Sequence, residues 1–200
     1  MMRLSLRPLL GAAALGTVVL LSGCSILPKS EPQARYNLPA SPLQQMTTTK
    51  NVSLYVAAPQ ANRLVNSNRV LVQPTGAEIQ VYKDTQWADN APILLRERLV
   101  QAFNDAQLFK AISSDAALKT DLALESYLRR FQVQYQNEQP VILVQLDVQL
   151  VDRKDASIRR TQRFNISQPA TDTSVSAIID AFGLASDTLS QQLLTWLAQS

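Results

Sequence analysis

The run from Val144 to Leu150 constrains this chain most: Val144, Leu146, Val148 and Leu150 alternate with Gln145, Asp147 and Gln149. Apolar residues at every second position put one face of a strand against a core and leave the other in water, the pattern of an antiparallel sheet covered on one side. Ile158 to Ile166 answers it across a turn at Asp152 to Ala156, with Phe164 and Ile166 inward. Upstream, Leu122, Leu124 and Leu128 share one parity while Phe131, Val133 and Tyr135 share the other. The phase therefore slips by one residue near Arg129-Arg130, and a β-bulge or sharp bend must absorb the slip, because otherwise half of the apolar set would face solvent.

Shorter strands precede this meander. Val52, Leu54 and Val56 share a face and end at Pro59; Val70 and Val72 end at Pro74; Ile79 and Val81 follow Gly76. Trp87 to Pro92 reads as a helix start with Asp89 or Asn90 as cap and Pro92 in the first turn. That helix runs to about Gln107 with Leu95, Leu99, Ala102, Phe103 and Ala106 as its buried stripe. Leu108 and Phe109 lead into a short segment, Phe109 to Ile112. Asp172 to Ser174 offers caps for a second, long helix to about Ala198, with Ile178, Phe182, Ala185, Leu189, Leu193 and Trp196 inward. Gly183 is its weak point, costing about 1 kcal/mol relative to Ala. The expected fold is α+β: an antiparallel or mixed β-sheet with two helices packed on one face, preceded by a signal peptide and a flexible tether.

The signal is read from residues 1–23. Arg3 and Arg7 give a positive start, and Leu9 to Leu21 an apolar centre too short for the roughly 20 residues of a spanning helix. It closes on Leu21-Ser22-Gly23 directly before Cys24, the only cysteine of the chain, and this resembles the bacterial lipobox. That resemblance implies a mature N-terminus at Cys24 carrying an N-acyl group and an S-diacylglycerol, enough chains to hold a protein stably to a bilayer. Residues 24–49 hold Pro28, Pro32, Pro39 and Pro42, which rule out a helix of any length. They read as a lipidated tether with a short strand-like island at Arg35 to Pro39, and residues 50–200 as a single periplasmic domain. Ser25, where an Asp would mark inner-membrane retention, points to the outer membrane, facing the periplasm of a Gram-negative bacterium.

Composition removes most chemistry. The chain has no histidine, and its one thiol is expected to be acylated, so Ser-His and Cys-His pairs and the usual zinc sets are missing. Five glycines assemble neither a dinucleotide fingerprint nor a phosphate loop. The net charge of +3 falls almost to neutral once Arg3 and Arg7 leave, and no basic block with interleaved aromatics marks a nucleic-acid binder. No catalytic residue, metal ligand or cofactor is expected beyond the lipid on Cys24. Tyr82 and Trp87 are candidates for an interface or lipid contact, although an aromatic beside a helix start serves equally as a staple. Arg129, Arg130, Arg159, Arg160 and Arg163 are candidates for headgroups or an acidic partner, against the plainer reading of a solvated strand surface. Arg160 and Gln162 share the parity of Ile158, Phe164 and Ile166, a polar interruption that suggests a strand end or a subunit contact.

A lipobox, then Arg35-Tyr36-Asn37-Leu38-Pro39, a Val52-to-Pro59 strand, and Tyr82 followed by Trp87-Ala88 and Pro92 before an amphipathic helix resemble the ABC-type transport auxiliary lipoprotein family, from about residue 34 to 196. The resemblance, closest to the paraquat-inducible outer-membrane type, implies a non-enzymatic subunit of an intermembrane phospholipid transport system. It would dock an MCE-domain periplasmic protein and its ABC permease and ATPase, in some members as a homo-oligomeric ring. The alternative is a structural or assembly lipoprotein of the envelope without lipid cargo.

Overall fold

The structure, a computed structural model, describes residues 33–199. Signal peptide, lipobox and the first part of the expected tether lie outside the described residues. Among the described residues nine strands form one mixed sheet: β1 (Ala34–Tyr36), β2 (Lys50–Val56), β3 (Gln60–Ala61), β4 (Arg69–Gln73), β5 (Gln80–Trp87), β6 (Phe109–Ser113), β7 (Leu122–Gln136), β8 (Gln139–Asp152) and β9 (Ile158–Pro169). Helix α1 (Ala91–Ala106) falls between β5 and β6, and α2 (Val175–Ala198) ends the chain. Both helices contact each other; α2 lies against β8 and β9, and α1 against β2 and β6.

The meander expected from alternation is present: β8 pairs antiparallel with β7 on one side and β9 on the other. The phase slip is a bulge in β7 between Leu128 and Arg130, which restores Phe131 and Val133 to the core at 1% and 0% exposure. Along its other side β7 is shared in succession by β2, β3 and β4, all parallel to it. Beyond these, β6 continues from β2, and β5 and then β1 continue from β4. Parallel pairing here follows from the long excursions that separate β2 and β4 from β7, both of which carry α1.

Both helix starts follow from local chemistry. Ser174 Oγ accepts from Ala177 N at 3.2 Å, and Asp172 holds Ser174 N at 2.7 Å. Asn90 caps α1 by position only: its side chain makes no cap bond, and the Ser67 carbonyl takes Ala91 N at 3.0 Å. The expected stripes of both helices are all buried. The third early strand differs from its expected form. Val81 is 45% exposed, and β5 instead turns Thr85 and Trp87 inward after Asp84 adopts a left-handed backbone conformation (φ 54°). At the centre, Trp87, Phe131 and Phe182 meet with ring centroids 4.8–5.7 Å apart, joining β5, β7 and α2.

The compact unit begins at Gln33. Residues 33–49, read from their prolines as tether, are laid across the domain as an extended strap. Its first residues form β1 on β5, and Tyr36, Leu38, Leu43 and Met46 pack against the core.

Deleting Arg129, the extra residue of the bulge, leaves Leu128 opposite Leu146 and Phe131 opposite Val144 with both on the core face, so a cooperative urea transition followed by tryptophan fluorescence should survive the deletion. Arg129→Ala, which retains the bulge, should cost no more than about 1 kcal/mol. Loss of the cooperative transition in the deletion but not in the substitution would show that the bulge does more than correct the phase of β7.

Candidate functional site

The best-defined polar arrangement in the folded part is the joint where the strap, residues 33–49, meets the two helices. Pro39 sits on α2 at Gly183: a Cβ built on Gly183 would stand 2.8 Å from Pro39 Cβ and 2.9 Å from its carbonyl oxygen. No other residue type permits this approach without displacing backbone. Two residues on, Arg98 from α1 and Asp187 from α2 close around Ser41. Arg98 Nε donates to Asp187 Oδ1 at 2.8 Å, and Arg98 Nη2 donates to the same oxygen and to Ser41 O, the latter at 2.8 Å. Ser41 N donates to Asp187 Oδ2 at 3.1 Å. The strap backbone thus completes an ion pair in which Arg98 is 3% exposed. Further on, Met46 N and Thr49 Oγ1 donate to the Ala106 and Gln107 carbonyls, satisfying the orphan C-terminus of α1.

None of these joint residues was singled out in the sequence as functional. Arg98 stands in a charged stretch, Arg96-Glu97-Arg98, but Leu94, Leu95 and Leu99 around it put its position at the margin of the apolar stripe. Gly183, expected to weaken α2, is instead the seat of the strap.

Of the candidates that were singled out, Trp87 is fully buried in the aromatic cluster, which removes it from any interface or lipid path. Its indole Nε1 is buried without a hydrogen-bond partner. Tyr82 is half-buried and shares a 2.9 Å hydrogen bond with Tyr135 across the sheet. Burial and that bond push both its proton affinity and its phenol pKa far up. Arg160 is the third residue of β9, beside the irregularity at its start, and it is tied within the chain: its Nη1 donates to Trp196 O at 2.9 Å, and its guanidinium lies 4.9 Å from the Trp196 ring centroid. The polar interruption of β9 is therefore a tie to the last turn of α2, where a cation meets the negative end of the helix. Leu21, Ser22, Gly23 and Cys24 lie outside the described residues.

The sheet face away from the helices is polar, and there Asp147 accepts from both Arg129 and Arg163. The Arg163 hydrogen bond, followed by that of Arg129, holds the Asp147 carboxyl down at about 2. Among the described residues no three His, Cys, Asp or Glu side chains converge as for a metal, and no helix is long and apolar enough to cross a membrane.

A two-layer α+β domain whose N-terminal strap is locked between two helices is the class these observations define. The chain belongs to the ABC-type transport auxiliary lipoprotein component family, whose profile matches residues 36–193. Among solved structures, protein XCC0632 from Xanthomonas campestris superposes with a TM-score of 0.77 at 26% identity, covering 82% of this chain and 94% of that one. An uncharacterized protein superposes with a TM-score of 0.65 at 16% identity, covering 84% and 99%, a likeness of fold. Among curated proteins, the uncharacterized protein bll6063 of Bradyrhizobium diazoefficiens is 26% identical over 149 residues, 74% of this chain, which spans 40% of that relative's length.

Gly183→Ala should lower stability by about 1–3 kcal/mol despite the helix-propensity gain of about 1 kcal/mol, because the strap must move. Trypsin should then cut faster after Arg35. Arg98→Ala, which leaves Asp187, 13% exposed, without its cation, should cost somewhat less in urea unfolding than the about 3–5 kcal/mol of a fully buried pair; a cost under about 1 kcal/mol would show that the joint is not closed in solution. Asp147 tests the outer face. Its folded pKa lies below the ordinary carboxylate value of 3.8, so its contribution is full above that value and is lost as pH falls toward about 2. Asp147→Asn should therefore flatten the fall in urea midpoint between about pH 4 and pH 2, and an unchanged acid limb would show that the triad carries no stability.

Proposed function

We propose that this chain is the membrane-anchored adaptor of an MCE-type ABC system that moves phospholipid between membranes. Lipidated at Cys24 and held at the outer membrane, it docks an MCE-domain periplasmic protein whose ABC permease and ATPase supply the work. The observation that carries this reading is the joint built by Arg98, Asp187, Ser41 and Gly183, taken with the family. An adaptor under tension needs its anchor-bearing segment fixed to a rigid body, and here the strap is fixed to both helices rather than hanging from one strand. Lipid chains bind a bilayer with about 0.8 kcal/mol per buried CH₂, so the anchor and the joint form one mechanical line. Ser25 supports the outer membrane as the site of attachment. Several copies arranged as a ring would surround a partner's conduit without any catalytic group, in keeping with a sequence free of histidine.

The test is purification of the native lipoprotein from crosslinked envelope, followed by identification of co-purifying proteins and phospholipids. An MCE protein should be recovered, and Cys24→Ala should shift the protein from the outer-membrane fraction to the soluble periplasm. Failure to recover any MCE partner would overturn the adaptor reading, and residence in the inner membrane alone would overturn the placement.

A further inference from the structure

The sheet has one long open edge. Among the described residues β9 pairs only with β8 over its twelve residues, and its direction of hydrogen bonding can be read from its ends. Ala170 N donates to Pro140 O at 2.9 Å. Antiparallel partners exchange bonds at alternate residues, so the even-numbered residues of β9 bond to β8 and the odd-numbered ones turn their N–H and C=O outward. Two side-chain bonds agree with this assignment: Gln162 Nε2 donates to Arg163 O at 3.2 Å and Gln168 Nε2 to Pro169 O at 3.1 Å. The strand's own glutamines cap two outward carbonyls. At Thr161, Asn165 and Ser167, all exposed, the outward backbone groups have no protein partner that the geometry provides.

Natural sheets shield such edges with short strands, prolines, bulges or charges. The other edges of this sheet follow that rule: β1 has three residues and β6 five. β9 has no proline before Pro169 and one irregularity, at its start beside Leu150 and Val151. The odd face next to the edge is basic. Arg163 and Arg129 share one carboxylate, Asp147, which leaves the pair with an excess positive charge.

We infer that β9 is a docking edge for an extended segment of a partner polypeptide, added as a tenth strand with acidic side chains at alternate positions facing Arg163. A second copy of this chain fits less well. Its β1 and β6 edges are too short to cover β9 and carry exposed cations, Arg35 and Lys110, while pairing β9 with the β9 of a copy would set two strands that each carry Arg159 and Arg163 side by side. This surface is independent of the lipid anchor and of the transport reading.

The test uses the full-length protein in detergent and three fluorescent dodecapeptides: one alternating valine and glutamate, one with lysine replacing glutamate, and the first N-methylated at alternate amides. The glutamate peptide should bind at least tenfold more tightly than the other two, and its binding should slow hydrogen exchange at the Thr161, Asn165 and Ser167 amides at least tenfold. Thr161→Pro, which removes only an outward N–H, should weaken that binding, with a thermal melt to verify the fold. Equal binding of the N-methylated and unmodified peptides would overturn the inference without any protein variant. So would equal binding of the lysine peptide, or protection of those three amides in the peptide-free protein, which would mean that a second copy already covers the edge.

Discussion

β7 must keep one face apolar for fifteen residues through a slip of one, and most of the architecture depends on how it does so. β8 follows it over its whole length on one side. On the other side no single strand does: β2 pairs at Leu122 to Leu124, β3 at Tyr127 and Leu128, and β4 at Gln132 to Gln134. The bulge falls where β3 gives way to β4, so the extra residue lies where no partner on that flank has to follow it. A bulge increases local twist, and it is the second segment, beyond the bulge, that brings Phe131 against Trp87 and Phe182.

The joint of strap and helices depends on a different balance. Moving Arg98 and Asp187 out of water costs several kcal/mol per ion, and their attraction in the interior only roughly returns it. The net stability from such a pair is small, but the penalty for misplacing it is large. With the strap elsewhere, Arg98 would lose the Ser41 carbonyl and Asp187 the Ser41 amide, so the pair would keep its own contact but not the backbone partners that complete it. The pair therefore selects a position for the strap more than it adds to the stability of the fold, and Gly183 admits the strap at that position alone.

Legibility in the sequence divides along the same lines. Period-two and helical patterns revealed β2, β7, β8, β9 and both helices, down to the slip at Arg129-Arg130 and the cap at Ser174, because those features are set by neighbours in the chain. What stayed hidden was set by distant partners. Pro39 and Pro42 argue locally for a tether, and nothing near them announces that α2 carries a glycine to receive one. Val81 fits an inward strand position by pattern, yet the left-handed turn at Asp84 re-phases β5 so that Trp87, not Val81, reaches the core. Arg160 looked like an interface residue because its partner, the Trp196 carbonyl, is 36 residues away. A lipobox-like motif is local and so can be read from adjacent residues, whereas the joint of strap and helices is built from residues far apart in the chain and could not be.

These two kinds of feature meet on α2. Around its middle the helix holds the strap through Gly183 and Asp187, and at its end Trp196 is held by Arg160 and lies 6.2 Å, edge to face, from Phe164 of β9. At 1.5 Å per residue the strap contacts lie about 14–20 Å of continuous helix from Trp196. A helix packed along its length transmits displacement as a rod, not a spring, because close-packed interfaces shift as units. A displacement of the strap would therefore reach β9 through the contacts of Arg160 and Phe164 with Trp196, and not through the loops around it. The seat of the strap and the open edge of β9 belong to one packed layer, because α2 touches both.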